Sequence, residues 1–532
     1  MIKNFNSDVS SKIKSGKRSI IMGILLLFGL FPLLAAPCGD VNSDNSINII
    51  DALLTAQFYV GLNPQNFDEA AGDVNGDNSI NIVDALLMAQ YYVGLISEFT
   101  GCKEETPEPS RPPGTPGSLP KHWHETKGFG TTIKGGIAGE VYKVTNLNSS
   151  GPGSLKDAVS ESNRLVVFEV GGVIEGGFIV ASNVTIAGQT APYPGITIIK
   201  GNVRTNTSDI VVSHITHHLG SQVDGYPDAW NVKGTNIVLD HVAVYWGKDE
   251  TLVVGSSDDI TLYKCIIAEG LQFTGHEDGE HSKGLHLQSG NTRVSVIGSL
   301  SVHSALRNPR MDGGEAFLGN YVLYNWGPGW DHRGDKITSD SEIPGCTQCY
   351  NYAVSARRNG YITLVGSVAL QGPESVGEYF LSGHYGENAY AYINDNIIKD
   401  RNGNDLIMTD PAITVQNTPV VWPEGIDLLP ADEALYEVLR TVGPQPGRRN
   451  NHNARIVKSV AEGTGKIIDS EEEVGGYPDY TPTRRSITVP DGAEARQAWL
   501  DELEDEIAVD TSIDLSKLYE MVGSRDSDRL LP

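Results

Sequence analysis

Long apolar runs are scarce in this chain of 532 residues. Apart from the stretch between Ile20 and Ala36, no segment is apolar over enough length to span a bilayer. Cationic residues are few as well: 40 Lys and Arg stand against 67 Asp and Glu, a formal net charge of −27. That balance argues against nucleic acid as a partner, because phosphate binding needs basic patches. It also repels any polyanion at long range, so binding one requires local cations or a bridging metal ion. From about Lys121 onward, sustained helical periodicity is missing until Ala431–Val442 and Ala493–Ile507. The 59 glycines point instead to a turn-rich β architecture.

What is present begins with a targeting signal. Lys12, Lys14, Lys17 and Arg18 precede the apolar stretch, which ends in small residues at Ala35 and Ala36. This order reads as a signal peptide over residues 1–36, so the mature protein is expected to be secreted, extracellular and free of the membrane. Export permits disulfides. Cys38 and Cys102 bracket a compact repeat region. Cys346 and Cys349 form a CTQC pair, read as a local disulfide or two loop thiols, and Cys265 reads as a buried free thiol.

The repeat is close. Residues 39–61, GDVNSDNSINIIDALLTAQFYVG, recur as residues 72–94, GDVNGDNSINIVDALLMAQYYVG. In the first copy Asp40, Asn42, Asp44, Asn48 and Asp51 occupy positions 1, 3, 5, 9 and 12 of an EF-hand-like loop. In the second copy Asp73, Asn75, Asp77, Asn81 and Asp84 do the same. Calcium takes six to eight oxygens at about 2.4 Å, and this spacing wraps a short loop around one ion. Each loop runs into a helical pattern closed by glycine.

These copies resemble the dockerin type I module, over residues 38–102. The resemblance implies a small α-helical domain that binds two Ca2+ ions and docks onto a cohesin domain of a scaffold protein. Many dockerins carry Ser-Thr at loop positions 10 and 11, where this chain has Ile49, Ile50 and Ile82, Val83. The docking face is therefore expected to be apolar. A disulfide between Cys38 and Cys102 would clasp the ends of the module. Residues 103–120, KEETPEPSRPPGTPGSLP, form a Pro-rich linker that cannot build a core.

Residues 121–532 read as one large domain. Short β-rich runs recur at 183–186, 209–212, 236–239, 259–262, 293–296, 316–323 and 361–365. Their spacing, often roughly 23 to 27 residues, suits one coil of a solenoid. A right-handed parallel β-helix is expected, mainly β, with helices added late in the chain.

Four motifs lie on this scaffold: VTIAGQTAPYPGI at 184–196, DAWNVKGTNIVLDHVAVYWGKDE at 228–250, HSKG at 281–284 and HSALRNPRM at 303–311. In this order they resemble polysaccharide lyase family 1, the pectate lyases. The resemblance implies cleavage of pectate by calcium-assisted β-elimination, in a catalytic domain expected to be monomeric. It assigns Asp228 and Asp249 to the catalytic calcium. The family's further carboxylate, four residues beyond Asp249, is Val253 here, and Glu250 is the available replacement. Arg307, the first Arg of RNPR, matches the catalytic arginine, and Lys283 the lysine that contacts the substrate carboxylate. Arg310 and His281 are expected to bind substrate. His241 and His303 read as strand-packing residues.

The chemistry makes the same demands without the family name. β-Elimination removes the C5 proton beside a carboxylate that is already negative. The site needs positive charge on that carboxylate and a base near C5. Arg307 either acts as that base, against the high affinity of a guanidinium for its proton, or stays charged and steadies the enolate while another group takes the proton. Alternatives are a pectin lyase, another uronate-polysaccharide lyase, or a non-catalytic carbohydrate-binding β-helix. Asp228, Asp249 and Glu250 argue against the first, since a pectin lyase acts without calcium.

Overall fold

In the computed structural model the chain divides into two compact units, residues 1–115 and 116–532. The division falls inside the Pro-rich segment. Described in the first unit are residues 39–99, except 43, 45, 65, 66, 69, 70, 76–78, 94, 97 and 98. Described in the second are residues 119–522, except 277–280, 328–351, 376, 377 and 384–386. The signal peptide, most of the linker, Asp77, Cys38, Cys102, Cys346 and Cys349 lie outside the described residues.

The first unit is built on two equivalent helices, α1 (Ile49–Tyr59) and α2 (Ile82–Tyr92). Each starts at an asparagine that caps it: Asn48 Oδ1 accepts from Ile50 N, and Asn81 Oδ1 from Val83 N, both at 2.8 Å. Asp51 and Asp84 complete reciprocal capping boxes, which satisfy amides that the first helical turn leaves open. Val41, Ala52, Ala71, Val74, Met88 and Phe99 form the small core.

The second unit is a right-handed parallel β-helix. Every strand pairing among the described residues of this unit is parallel, save a short antiparallel pair that joins 483–484 to 170–171. Three ladders run along it. One column of inward residues shows the principle: Val184, Ile210, Ile237, Ile260, Val294, Ala316, Ile362 and Ala391 stack in register. All eight are buried. Coils of this column are 22 to 34 residues long, apart from the one between Ala316 and Ile362, which carries residues 328–351. The coils therefore vary more than the 23 to 27 residues expected.

The expected run at 316–323 is two strands, Arg310–Gly319 and Val322–Tyr324. Asn320 breaks it with a left-handed φ of 49°, and its side chain bonds Gly366 O at 2.9 Å and Leu429 O at 2.7 Å. The longer late helices that pack on the coils are α3 (Ala431–Thr441), α4 (Asn451–Glu462) and α5 (Ala493–Asp505). α4 carries an Asn450 cap and a Gly463 stop at φ 66°, a start and stop visible in the sequence that the periodicity reading passed over. Cys265 is a buried free thiol.

His241 and His303 are buried in the scaffold. His241 Nδ1 lies 2.7 Å from Asp240 Oδ1 and its ring stacks on His214, with centroids 4.6 Å apart. His303 bonds Ser459 at 2.8 Å and Asn325 at 2.9 Å. Glu504 of α5 closes over the first pair, 3.7 Å from each imidazole and 3.5 Å from His122 Nδ1. Its contact with Glu504 pushes His122 up to about 9.

This pair ties the start of the unit to its last long helix, and its pH dependence has a definite sign. A raised histidine pKa stabilises the fold fully below the ordinary value near 6.5 and loses that contribution as pH rises through about 9. The gap in melting temperature between the native chain and His122→Gln should be widest at pH 6 and close by pH 10; a gap that does not change with pH would contradict this account.

Candidate active site

Four strands build one face: β1 (Trp230–Val232), β2 (Glu250–Val254), β3 (Lys283–Leu287) and β4 (Arg310–Gly319). In register across them lie Asn231, Val253, His286 and Arg310. Glu250 pairs with Lys283, and Lys283 bridges to Leu306 in the next coil. Residues 22 to 33 positions apart in sequence thus become neighbours. Arg307 follows Leu306 in a left-handed conformation, φ 59°. Backbone bonds hold it there: Leu285 N donates to Arg307 O at 2.6 Å, and Gly284 N to Leu306 O at 2.9 Å. Such a conformation is costly for a side chain with a Cβ and persists only where its surroundings enforce it.

Asp228, Asp249 and Glu250 converge. Each offers a carboxylate oxygen within 4.8 Å of the others. Asp228 Oδ1 accepts from Glu250 N at 3.1 Å, and its Oδ2 from Asn231 Nδ2 at 2.6 Å. Burial, helped by the charge of Asp249, pushes Asp228 up to about 6. Asp249 behaves oppositely. Burial works against its charge, yet His281 and Lys283 hold it well below the usual carboxylate range. Lys283 Nζ is 2.6 Å from Asp249 Oδ1, and His281 Nε2 is 3.2 Å away. Arg307 is ion-paired with Glu250. A groove of about 360 Å³, lined by Tyr226, Asp228, Asn231, Asp249 and Val253 among others, runs beside this cluster.

The acidic triad fits a hard cation. Two oxygens on one calcium ion at 2.3–2.6 Å can be no more than about 5 Å apart, and the three carboxylates meet that limit. The sequence placed Asp228, Asp249, Glu250, Lys283, His281 and Arg307 at one site, and the structure brings them together. Val253, where the further carboxylate was expected, is buried and supplies no oxygen. Arg310 stands one strand further on, with Nε 3.1 Å from Asp312 Oδ1.

Sequence reasoning missed Asp312 and Arg357. Arg357 grips Asp312 with Nε at 2.5 Å and a terminal nitrogen at 2.7 Å. His286 Nε2 is 3.2 Å from the same carboxylate. Burial opposes the charge of Asp312, but these partners and Arg310 hold its carboxyl far below the ordinary range. No motif flags this cluster, because Arg357 reaches it across the longest coil.

In the first unit, Asp44 N donates to Asp40 Oδ1 at 3.0 Å and to Asn42 Oδ1 at 2.9 Å, which curls the loop around its own oxygens. Asp40 and Asp51 are fully buried, and Asp51 Oδ1 has no hydrogen-bond partner among the described residues. An orphaned buried carboxylate oxygen fits a cation position. Asn48 and Asn81 spend their side chains on helix capping, with Nδ2 donating to Ser46 O and Ser79 O at 3.1 Å. A cation in either loop would therefore meet position 9 through water, as is common in such loops. Ile49, Ile50, Leu53, Ile82, Val83 and Leu86 are about half exposed and form one apolar hollow.

A family model for the dockerin type I domain matches residues 38–92. The probable pectate lyase C of Emericella nidulans is 33% identical over 411 residues, spanning 74% of this chain and 90% of that protein. The protein of the same name from Aspergillus terreus is 35% identical over 367 residues, 66% of this chain and 80% of the relative. A solved pectate lyase bound to a hexasaccharide shares 12% identity at a TM-score of 0.44, over 64% of this chain and all of that one. The chain is a polysaccharide lyase on a parallel β-helix. It belongs to the pectate lyase family and carries a dockerin type I module ahead of its catalytic domain.

Removing Asp312 would leave Arg310, Arg357 and His286 crowded without their shared anion. Asp312→Ala should cost about 3 kcal/mol of stability, read as a lowered urea midpoint of the β-helix unit. A loss under about 0.5 kcal/mol, the range of ordinary surface changes, would show that the cluster is not a structural tie.

Proposed function

We propose that this protein is a secreted pectate lyase that cleaves α-1,4-polygalacturonate by β-elimination, with calcium held by Asp228, Asp249 and Glu250. The observation that carries the reading is the convergence of three carboxylates with Lys283 and Arg307 beside one groove. Calcium bound there would supply positive charge against the uronate carboxylate and the enolate that develops from it. Lys283 and Arg307 would then exchange Asp249 and Glu250 for the carboxylate of the substrate. The C5 proton passes to the base, the C–H electron pair forms the C4–C5 double bond, and the C4–O4 bond breaks with O4 taking the pair and then a proton from water. Both roles open to Arg307, accepting the C5 proton or holding the enolate charge, need its guanidinium beside C5. The enforced left-handed backbone supports such a fixed placement. His281 and Arg310 serve further substrate carboxylates.

The first unit extends the proposal. Its two loops bind calcium through Asp40, Asn42, Asp44 and Asp51, and through Asp73, Asn75, Asp77 and Asp84, with Asn48 and Asn81 behind a water. The apolar hollow formed by Ile49, Ile50, Ile82 and Val83 is the surface offered to a cohesin domain on a scaffold. The catalytic domain works as a monomer.

Elimination leaves a double bond conjugated to a carboxylate, which absorbs in the near ultraviolet; hydrolysis leaves none. Polygalacturonate should therefore gain this absorbance with calcium present and not with chelator. Arg307→Ala should lower turnover by about 10²- to 10⁴-fold while oligogalacturonate binding persists. Absence of new absorbance on polygalacturonate would overturn the lyase reading. Activity indifferent to chelator would overturn the calcium role.

A further inference from the structure

His286 stands between two groups that cannot both be donors or both acceptors. Its Nε2 is 3.2 Å from Asp312 Oδ2, and its Nδ1 is 3.2 Å from a terminal nitrogen of Arg307. A carboxylate only accepts and a guanidinium only donates. The imidazole hydrogen therefore belongs on Nε2, and the Nδ1 lone pair receives an N–H of Arg307. Nδ1 is also 3.2 Å from Glu250 Oε1, but the positive partner of that oxygen is Arg307 itself. Asp312 is in turn fixed by Arg357 and Arg310. The result is a line of contacts from Arg357 through Asp312 and His286 to Arg307, set on three successive coils of the helix.

We propose that His286 is a positioning residue for Arg307, holding its guanidinium over the cleft by accepting one of its N–H groups while Asp312 fixes the imidazole. The inference rests on the reading of Arg307 given above. At rest Arg307 has a second hold, its ion pair with Glu250. Glu250 is also one of the three carboxylates suited to a cation. When it turns to that duty its grip on Arg307 weakens, and the contact with His286 still holds the guanidinium. Val253 opposite His286 in the adjoining strand offers no hydrogen bond that could take over. A side chain that fixes the orientation of a reacting group typically changes activity by 10- to 100-fold when removed.

The test compares His286→Leu with His286→Gln in the full chain, on polygalacturonate with calcium, beside Arg307→Ala. Gln can accept from Arg307 through its oxygen and donate to Asp312 through its amide, whereas Leu can do neither. His286→Leu should lower kcat by about 10- to 100-fold. Its KM, and its affinity for trigalacturonate measured in chelator by calorimetry, should stay near those of the native chain. His286→Gln should recover most of the lost kcat. If His286→Leu does not fold, as judged by its melting curve, His286→Ala takes its place in the comparison. Equal losses in the Leu and Gln variants, a loss carried by KM, or a near-native kcat in His286→Leu with Arg307→Ala inactive would overturn the inference alone. Near-native turnover in Arg307→Ala would overturn the role of Arg307 and this inference with it.

Discussion

Every coil of the catalytic unit must return in register with the coil before it. A parallel strand in this fold satisfies its backbone N–H and C=O groups only through its neighbours above and below, and an unpaired buried backbone group is expensive. The inward column from Val184 to Ala391 keeps that register, and the outward column follows without choice. Because one register serves both faces, the packing of Leu252 and Leu285 in the core also sets Val253 beside His286 on the outward face. The coils can differ in length only where they leave the ladders, so the loops absorb variation and the site does not move.

The cleft sets a second problem on that scaffold. A chain with a net charge of −27 gathers three of its carboxylates within 4.8 Å. The molecule balances them locally rather than globally. Lys283 faces Asp249 and Arg307 faces Glu250, while burial pushes Asp228, which has no such ion pair among the described residues, up to about 6. The same crowding that is unfavourable for the bare protein is what a hard cation requires. A polyanionic substrate can then be met by a small cluster of positive charge inside an acidic surface.

Much of this was legible in the sequence, for identifiable reasons. The dockerin loops are contiguous, so their spacing announces both helices directly; Asn48 and Asn81, expected only as calcium ligands, turn out to cap those helices. The β-helix was legible as a class because alternating apolar runs repeat at coil length. Individual coils were less so, since Asn320 splits one expected strand through a left-handed turn that composition does not announce. Asp249, Glu250 and Arg307, expected at the cleft from local motifs, do lie together there. Asp312 and Arg357 were not expected, because their pairing depends on strand register across the longest coil. The role of His286 likewise needs three coils to be seen at once.

The central claim is that this cleft breaks a uronate chain by elimination rather than by water. Digestion of polygalacturonate in water enriched with heavy oxygen separates the two at the level of the bond. The account predicts fragments with one unsaturated end and no heavy oxygen at the newly made ends, as read by mass spectrometry. Saturated fragments with one heavy oxygen gained per bond cut would contradict it.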